Sequence, residues 1–180
     1  MDEEKPNRRI LVIDDNRAIH EDFRKILEVN TEEQRYELAR ASLFGGSQPS
    51  GGQEQFELHC ADQGQQALAM VQSALKEGRP YAVAFVDMRM PPGWDGLETI
   101  KHLWKEDARL EVVICTAYAD QPWVELRDRI GRSDKLLILQ KPFNSIEALQ
   151  LATTLARKWN LAQQVEQQLR ELNRRVDERT

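Results

Sequence analysis

Short apolar runs alternate along this chain with stretches in which apolar residues recur every three or four positions. The runs are residues 9–14 (RILVID), 56–61 (FELHCA), 81–87 (YAVAFVD), 111–116 (EVVICT) and 136–140 (LLILQ). They predict five strands, and the first and third end in acids. Ile19, Phe23, Ile26 and Leu27 share one face of a helix over 18–28, and Ala67, Leu68, Val71 and Leu75 do the same over 65–77. A further helix over 97–106 carries Ile100, Leu103 and Trp104, and another helical stretch lies near 123–130. Continuous apolar strands alternating with amphipathic helices imply a parallel sheet covered on both faces, hence a doubly wound α/β fold. In that architecture a ligand sits beyond the carboxyl ends of the strands, where the strand order reverses.

Two segments exceed such a minimal unit. Residues 30–55 separate the first helix from the second strand. Thr31 and Gln34 have capping-box spacing for a helix over 31–44, and the run 45–52 (GGSQPSGG) is flexible by composition, so a solvated insertion is expected. From Ser145 onward there is no Pro or Gly, and one helix can run to about residue 178, roughly 50 Å at 1.5 Å per residue. Its later half has heptads, with Leu155, Ala162, Leu169 and Val176 at a and Val165 and Leu172 at d, while Lys158 and Arg179 interrupt the outer d positions. A long polar helix needs a partner helix; a parallel homodimer is predicted, with packing against another part of a longer protein as the alternative. The expected organisation is a flexible start over 1–7, a domain over 8–150 and an extended, coiled-coil-like helix over 151–180. That helix ends without a stop signal and would link to an output domain.

The 180 residues suffice for one domain and an appendage. A formal net charge of −5 argues against direct binding to nucleic acid or an anionic membrane. The first apolar run is too short for a signal peptide, and nothing approaches the roughly 20 apolar residues of a membrane span, so a cytoplasmic location is expected. Cys60 and Cys115 lie in strand-like runs without metal-ligand spacing, which disfavours a disulfide or a zinc site.

Strand ends carry the candidate chemistry. Asp14 and Asp15 close the first strand, Asp87 the third and Thr116 the fourth, and Lys141 follows the fifth. Neighbouring strands are about 4.8 Å apart, so these side chains converge in one crevice. Carboxylates that close resist ionising together unless cations neutralise them, which calls for a hard divalent ion with oxygen ligands and for Lys141. Such a set suits phosphoryl transfer to a carboxylate: the nucleophile is already ionised, and metal, ammonium and hydroxyl neutralise the transferring oxygens.

Here the sequence resembles the response regulator receiver family of two-component signalling. The matching residues are Leu11-Val12-Ile13-Asp14-Asp15, then Val86-Asp87-Met88-Arg89-Met90-Pro91 with Asp95-Gly96, then Ile114-Cys115-Thr116-Ala117, and Leu139-Gln140-Lys141-Pro142-Phe143. The resemblance spans about residues 8–160. It implies a flavodoxin-like sheet of order 2-1-3-4-5 and a phosphoacceptor at Asp87. It also implies Mg2+ (or Mn2+) held by Asp15, Asp87 and the backbone carbonyl of Arg89, with Asp14 acting largely through water. Thr116 and Lys141 would contact phosphoryl oxygens, and Lys141–Pro142 would be cis. The phosphodonor would be a histidine kinase or phosphotransfer protein, and the output surface would be the fourth helix, fifth strand and fifth helix. Such a domain catalyses only its own phosphorylation and dephosphorylation.

Departures from the family pattern qualify this. The loop Met90-Pro91-Pro92-Gly93-Trp94-Asp95-Gly96 is one residue longer than usual, and Trp94 is expected to pack on the next helix. Ile138 stands where many receivers carry an aromatic switch. Arg89 and Tyr118 flank the path of hydrolytic water and would shield the aspartyl phosphate. His20, His59 and His102 read as surface or packing residues. The alternative function is a pseudo-receiver acting as a constitutive dimerisation or scaffold module. A phosphatase of the haloacid dehalogenase type is disfavoured, because Asn16 stands where that family needs an acid.

Overall fold

A computed structural model describes residues 5–28, 40, 43, 55–117, 128–131 and 134–179. The strands are β1 (Arg9–Ile13), β2 (Glu57–Ala61), β3 (Val83–Asp87), β4 (Glu111–Ala117) and β5 (Leu136–Lys141). The helices are α1 (Arg17–Leu27), α2 (Gly64–Lys76), α3 (Gly96–Glu106) and α4 (Ser145–Arg179). All strand pairs are parallel and the order is β2-β1-β3-β4-β5, the doubly wound arrangement the alternation implies. Most of the expected insertion over 30–55, Tyr118 and most of the stretch 123–130 lie outside the described residues; residues 40, 43 and 128–130 are helical.

Two cores explain why the central strands lack a polar face. On one side Leu11, Ile13, Ala84, Val86, Val112 and Ile114 pack against Ala67 and Val71 of α2 and Leu97, Ile100 and Leu103 of α3. On the other, Ile10, Val12, Phe85 and Val113 meet Phe23 and Leu27 of α1 and Ala148, Ala152, Leu155 and Trp159 of α4. Each fully buried aliphatic or aromatic side chain contributes roughly 1.5–3 kcal/mol, so a sheet packed on both faces favours unbroken apolar strands. Helix starts are fixed locally. The Asn16 side chain accepts from the Ala18 amide at 3.0 Å, and Asp95 accepts from the Glu98 amide at 2.8 Å.

The long helix divides into two parts. Its first half belongs to the body, and polar contacts continue to the amino-terminal edge of the sheet. Asn7 and Asn160 exchange two hydrogen bonds of 2.8 Å, Lys158 donates to Glu111 at 3.2 Å, and Arg109 lies over the Trp159 ring and reaches Gln163. Leu155 is therefore core rather than the first rung of a heptad seam, because this turn of α4 still lies on the sheet. Leu161, Val165, Leu169, Leu172 and Val176 are exposed.

Candidate functional site

The strand order brings four sequence-distant groups to one edge. β1 and β3 lie side by side in register Ile13↔Val86, β3 and β4 in register Asp87↔Cys115, and β4 and β5 in register Ala117↔Lys141. The strand pattern of β1 runs one residue further, since the Asp14 amide donates to the Ala61 carbonyl at 3.1 Å. Asp14 is thus buried and Asp15, one residue on, is exposed. One carboxylate oxygen from each of Asp14, Asp15 and Asp87 lies within 4.8 Å of the others. Lys141 Nζ donates to Asp14 at 2.8 Å and to Asp87 at 3.0 Å. Lys141–Pro142 is cis, as expected, and so is Pro91–Pro92.

The loop after Asp87 is held close. The Met88 amide donates to the Cys115 carbonyl and the Gly96 amide to the Met88 carbonyl, each at 2.9 Å. A Cβ at Gly96 would come within 2.6 Å of the Asp87 carbonyl oxygen, so this position requires glycine. Trp94 stacks on His102 of α3 with ring centroids 3.9 Å apart, the packing role expected of it.

Electrostatics follow from this geometry. Burial pushes the Asp87 carboxyl above its ordinary range, Lys141 pulls against that, and the Asp14 and Asp15 charges add to the rise. Burial by itself would lower the Lys141 ammonium, but its hydrogen bonds to Asp14 and Asp87 outweigh this and raise it. Three acids with one ammonium leave an excess of negative charge. The cluster offers carboxylate oxygens, a donor set that fits Mg2+ or Mn2+ better than a metal seeking sulfur or imidazole.

Thr116 stands one residue beyond Cys115, the partner of Asp87 in the sheet, and its hydroxyl donates to the Ala117 carbonyl at 3.3 Å. Arg89 is exposed on the loop after Asp87. Ile138 is half-buried against the α2–α3 side of the core. Tyr118 is outside the described residues. Cys60 and Cys115 are both free thiols.

One histidine takes the packing role expected of it and adds a buried hydrogen bond. His20 of α1 is 5% exposed, and its Nε2 donates to the Asp14 carbonyl at 2.7 Å. The peptide joining Asp14 to Asp15 is therefore tied to the helix behind it. The signal was present in the sequence: His20, Phe23 and Leu27 share one helix face, where a polar residue must find a buried partner.

The model of the response regulator receiver domain family matches residues 50–153, more than half of the chain. Among solved structures the chain is similar to an adenylate cyclase from Rhodopirellula baltica, at 21% identity and a TM-score of 0.67, covering 91% of this chain and 98% of that one. It is also similar to a response regulator receiver protein from Sinorhizobium medicae WSM419, at 20% identity and a TM-score of 0.57, covering 85% and 97%. A CheY-like receiver domain protein from Methanospirillum hungatei JF-1 matches at 20% identity and a TM-score of 0.58, covering 85% and 96%. At these identities the likeness is one of fold. No curated protein matches the chain. Among the described residues no helix is long and apolar enough to cross a membrane.

Proposed function

The chain belongs to the response regulator receiver domain family, and on that premise we propose that Asp87 accepts a phosphoryl group in a reaction dependent on Mg2+ or Mn2+. The observation that carries this reading is the Lys141 ammonium bridging Asp14 and Asp87 within a cluster of three carboxylates. Asp14, Asp15, Asp87 and the backbone carbonyl of Arg89 would hold the cation, which would supply positive charge to the phosphoryl oxygens. An Asp87 oxygen attacks phosphorus while the bond to the donor's leaving group breaks, and an acyl phosphate forms. No general base is required, because the attacking carboxylate carries no proton to remove. Lys141 then exchanges its carboxylate contact for a phosphoryl oxygen, and the Thr116 hydroxyl donates to another.

A histidine kinase or phosphotransfer protein is the donor in this reading, and a cytoplasmic location goes with it. The phosphoryl group adds up to two negative charges at the sheet edge, and β5 and α4 carry the response outward. The homodimer predicted from the heptads would be the assembly through which α4 reports that change. The chain turns over no substrate of its own.

A small phosphodonor, given with Mg2+ or with EDTA and followed by intact mass, tests the assignment. One phosphoryl group should add with Mg2+, none with EDTA, and none to Asp87→Asn under either condition. No addition with Mg2+, or addition that persists in Asp87→Asn, would overturn it. The aliphatic Ile138 at the switch position favours a second reading, a constitutive scaffold that stays unlabelled.

A further inference from the structure

We propose that the exposed stripe Leu161, Val165, Leu169, Leu172 and Val176 on α4 is a docking surface for a second copy of this chain, packed parallel and in register. The inference deepens the reading of α4 as the output element, but it rests on geometry that is independent of phosphorylation. Among the described residues, α4 still reaches the body at Gln163, whose side chain accepts from Arg109. The sixteen residues after it span about 24 Å of helix. All five stripe side chains are 55–58% exposed, an apolar density that a solitary surface helix has no reason to keep.

Direction favours a helical partner. At about 100° per residue, the stripe points about 120° around the axis from the body-facing set Ala148, Ala152, Leu155, Ala156 and Trp159. The contacts of Lys158, Trp159 and Asn160 hold that orientation. A second helix along the stripe therefore lies away from the face of α4 that packs on the sheet.

Charge favours a copy over a foreign partner. Residues 161–179 carry four acids and four arginines, so two such segments do not repel, although the whole chain is at −5. Glu166 pairs with Arg170, Glu171 with Arg174 and Arg175, and Glu178 with Arg174, all within one helix. The segment presents no net charge that would select an oppositely charged protein. In a parallel pair the flanking positions set Gln168 against Asn173 and Leu161 against Glu166, with no like charges apposed there, while the terminal d position sets Arg179 against its own copy. Parallel register also matches Val165, Leu169, Leu172 and Val176 with their own counterparts. An antiparallel pair that preserves the Leu169–Leu172 layers sets Leu161 and Ala162 opposite the polar end of the other helix, at Arg179 and Thr180.

Sedimentation of the full chain without phosphodonor, over a wide concentration range, should show twice the chain mass. The double variant Leu169→Glu, Leu172→Glu should return to one chain mass with an unchanged thermal melt of the domain. In a Cys60→Ser background, Leu172→Cys should form a disulfide between copies, since facing core positions approach within disulfide reach, and Gln167→Cys on the opposite side of the helix should not. A monomer at every concentration, a trimer or tetramer, a dimer that survives the two glutamates, or equal cross-linking at Gln167→Cys would overturn the proposal. A dimer in a chain that is never labelled at Asp87 would sink the phosphoacceptor reading and leave this one standing, and a labelled monomer would do the reverse.

Discussion

Replacing Asp87 with asparagine probes the charge balance of the site. The Asp87 side chain is 12% exposed and lies 3.0 Å from Lys141 Nζ. Oxygens of Asp14 and Asp15 approach within 4.8 Å. At an effective dielectric constant of about 20, each repulsion is worth at least ~3.5 kcal/mol and the lysine attraction ~5.5 kcal/mol. Asp15 is exposed, so solvent screens much of its share and the charge interactions come close to cancelling. What remains is the cost of keeping a carboxylate from water, the leading cause of the raised Asp87 pKa. An amide of the same shape avoids that cost. Asp87→Asn should therefore be more stable than the parent in EDTA at neutral pH by about 1–2 kcal/mol. For a chain of this size that corresponds to a Tm rise of roughly 2–8 °C. Mg2+ should close the gap: an ion at ten times its Kd stabilises the folded state by about 1.4 kcal/mol, and the parent gains this while the variant has lost one of three carboxylates. Thermal unfolding followed by circular dichroism, in EDTA and at stepped Mg2+, measures both quantities. A variant less stable than the parent in EDTA, or a difference indifferent to Mg2+, would refute the reasoning.

Gly96→Ala would place a methyl group 2.6 Å from the Asp87 carbonyl oxygen and 2.9 Å from Met88 Cα, main-chain atoms that cannot move without displacing Asp87. Urea unfolding should show a loss of about 1–3 kcal/mol together with slower Mg2+-dependent labelling; parental values for both would contradict the packing argument. At the opposite edge, Glu111 is 3% exposed and Lys158 39%. Lys158→Met, which strands a buried carboxylate, should cost about 3 kcal/mol, and Glu111→Gln, which leaves an ammonium able to reach water, about 1 kcal/mol or less. Burial, against the pull of Lys158, also holds the Glu111 carboxyl above its ordinary 4.5. The folded state then binds more protons than the unfolded one, so this group's contribution to stability falls as pH rises from 4.5 through the folded value. Urea unfolding across that window should show a flatter fall for Glu111→Gln than for the parent, and parallel curves would count against the assignment.

Much of the fold is legible in the chain because strand and helix leave local periodicities. The runs 9–14, 81–87 and 111–116 are apolar without a break between their end residues because β1, β3 and β4 are buried on both faces, and the observed boundaries fall within about two residues of the pattern. The polar residues closing these runs, Asp14, Asp87 and Thr116, are legible for a related reason: where an apolar run stops, the strand has left the core. Asp14 and Asp15 lie before residue 50, where the family match begins, and the pairing of β1 with β2 and β3 brings them into the cluster.

Sequence by itself determined the alternation of elements, the strand-end position of Asp14, Asp15, Asp87, Thr116 and Lys141, and the continuity of the last helix. Tertiary structure decided what depends on separations that no local pattern encodes. It seated the Lys141 ammonium between carboxylates 127 and 54 residues away. It tied His20 to the strand end and drew Leu155 into the core while leaving Leu161 outside. The physical reason is that hydrophobic periodicity records which face of an element is buried, whereas the partner on that face is set by strand order and by where each crossover lands.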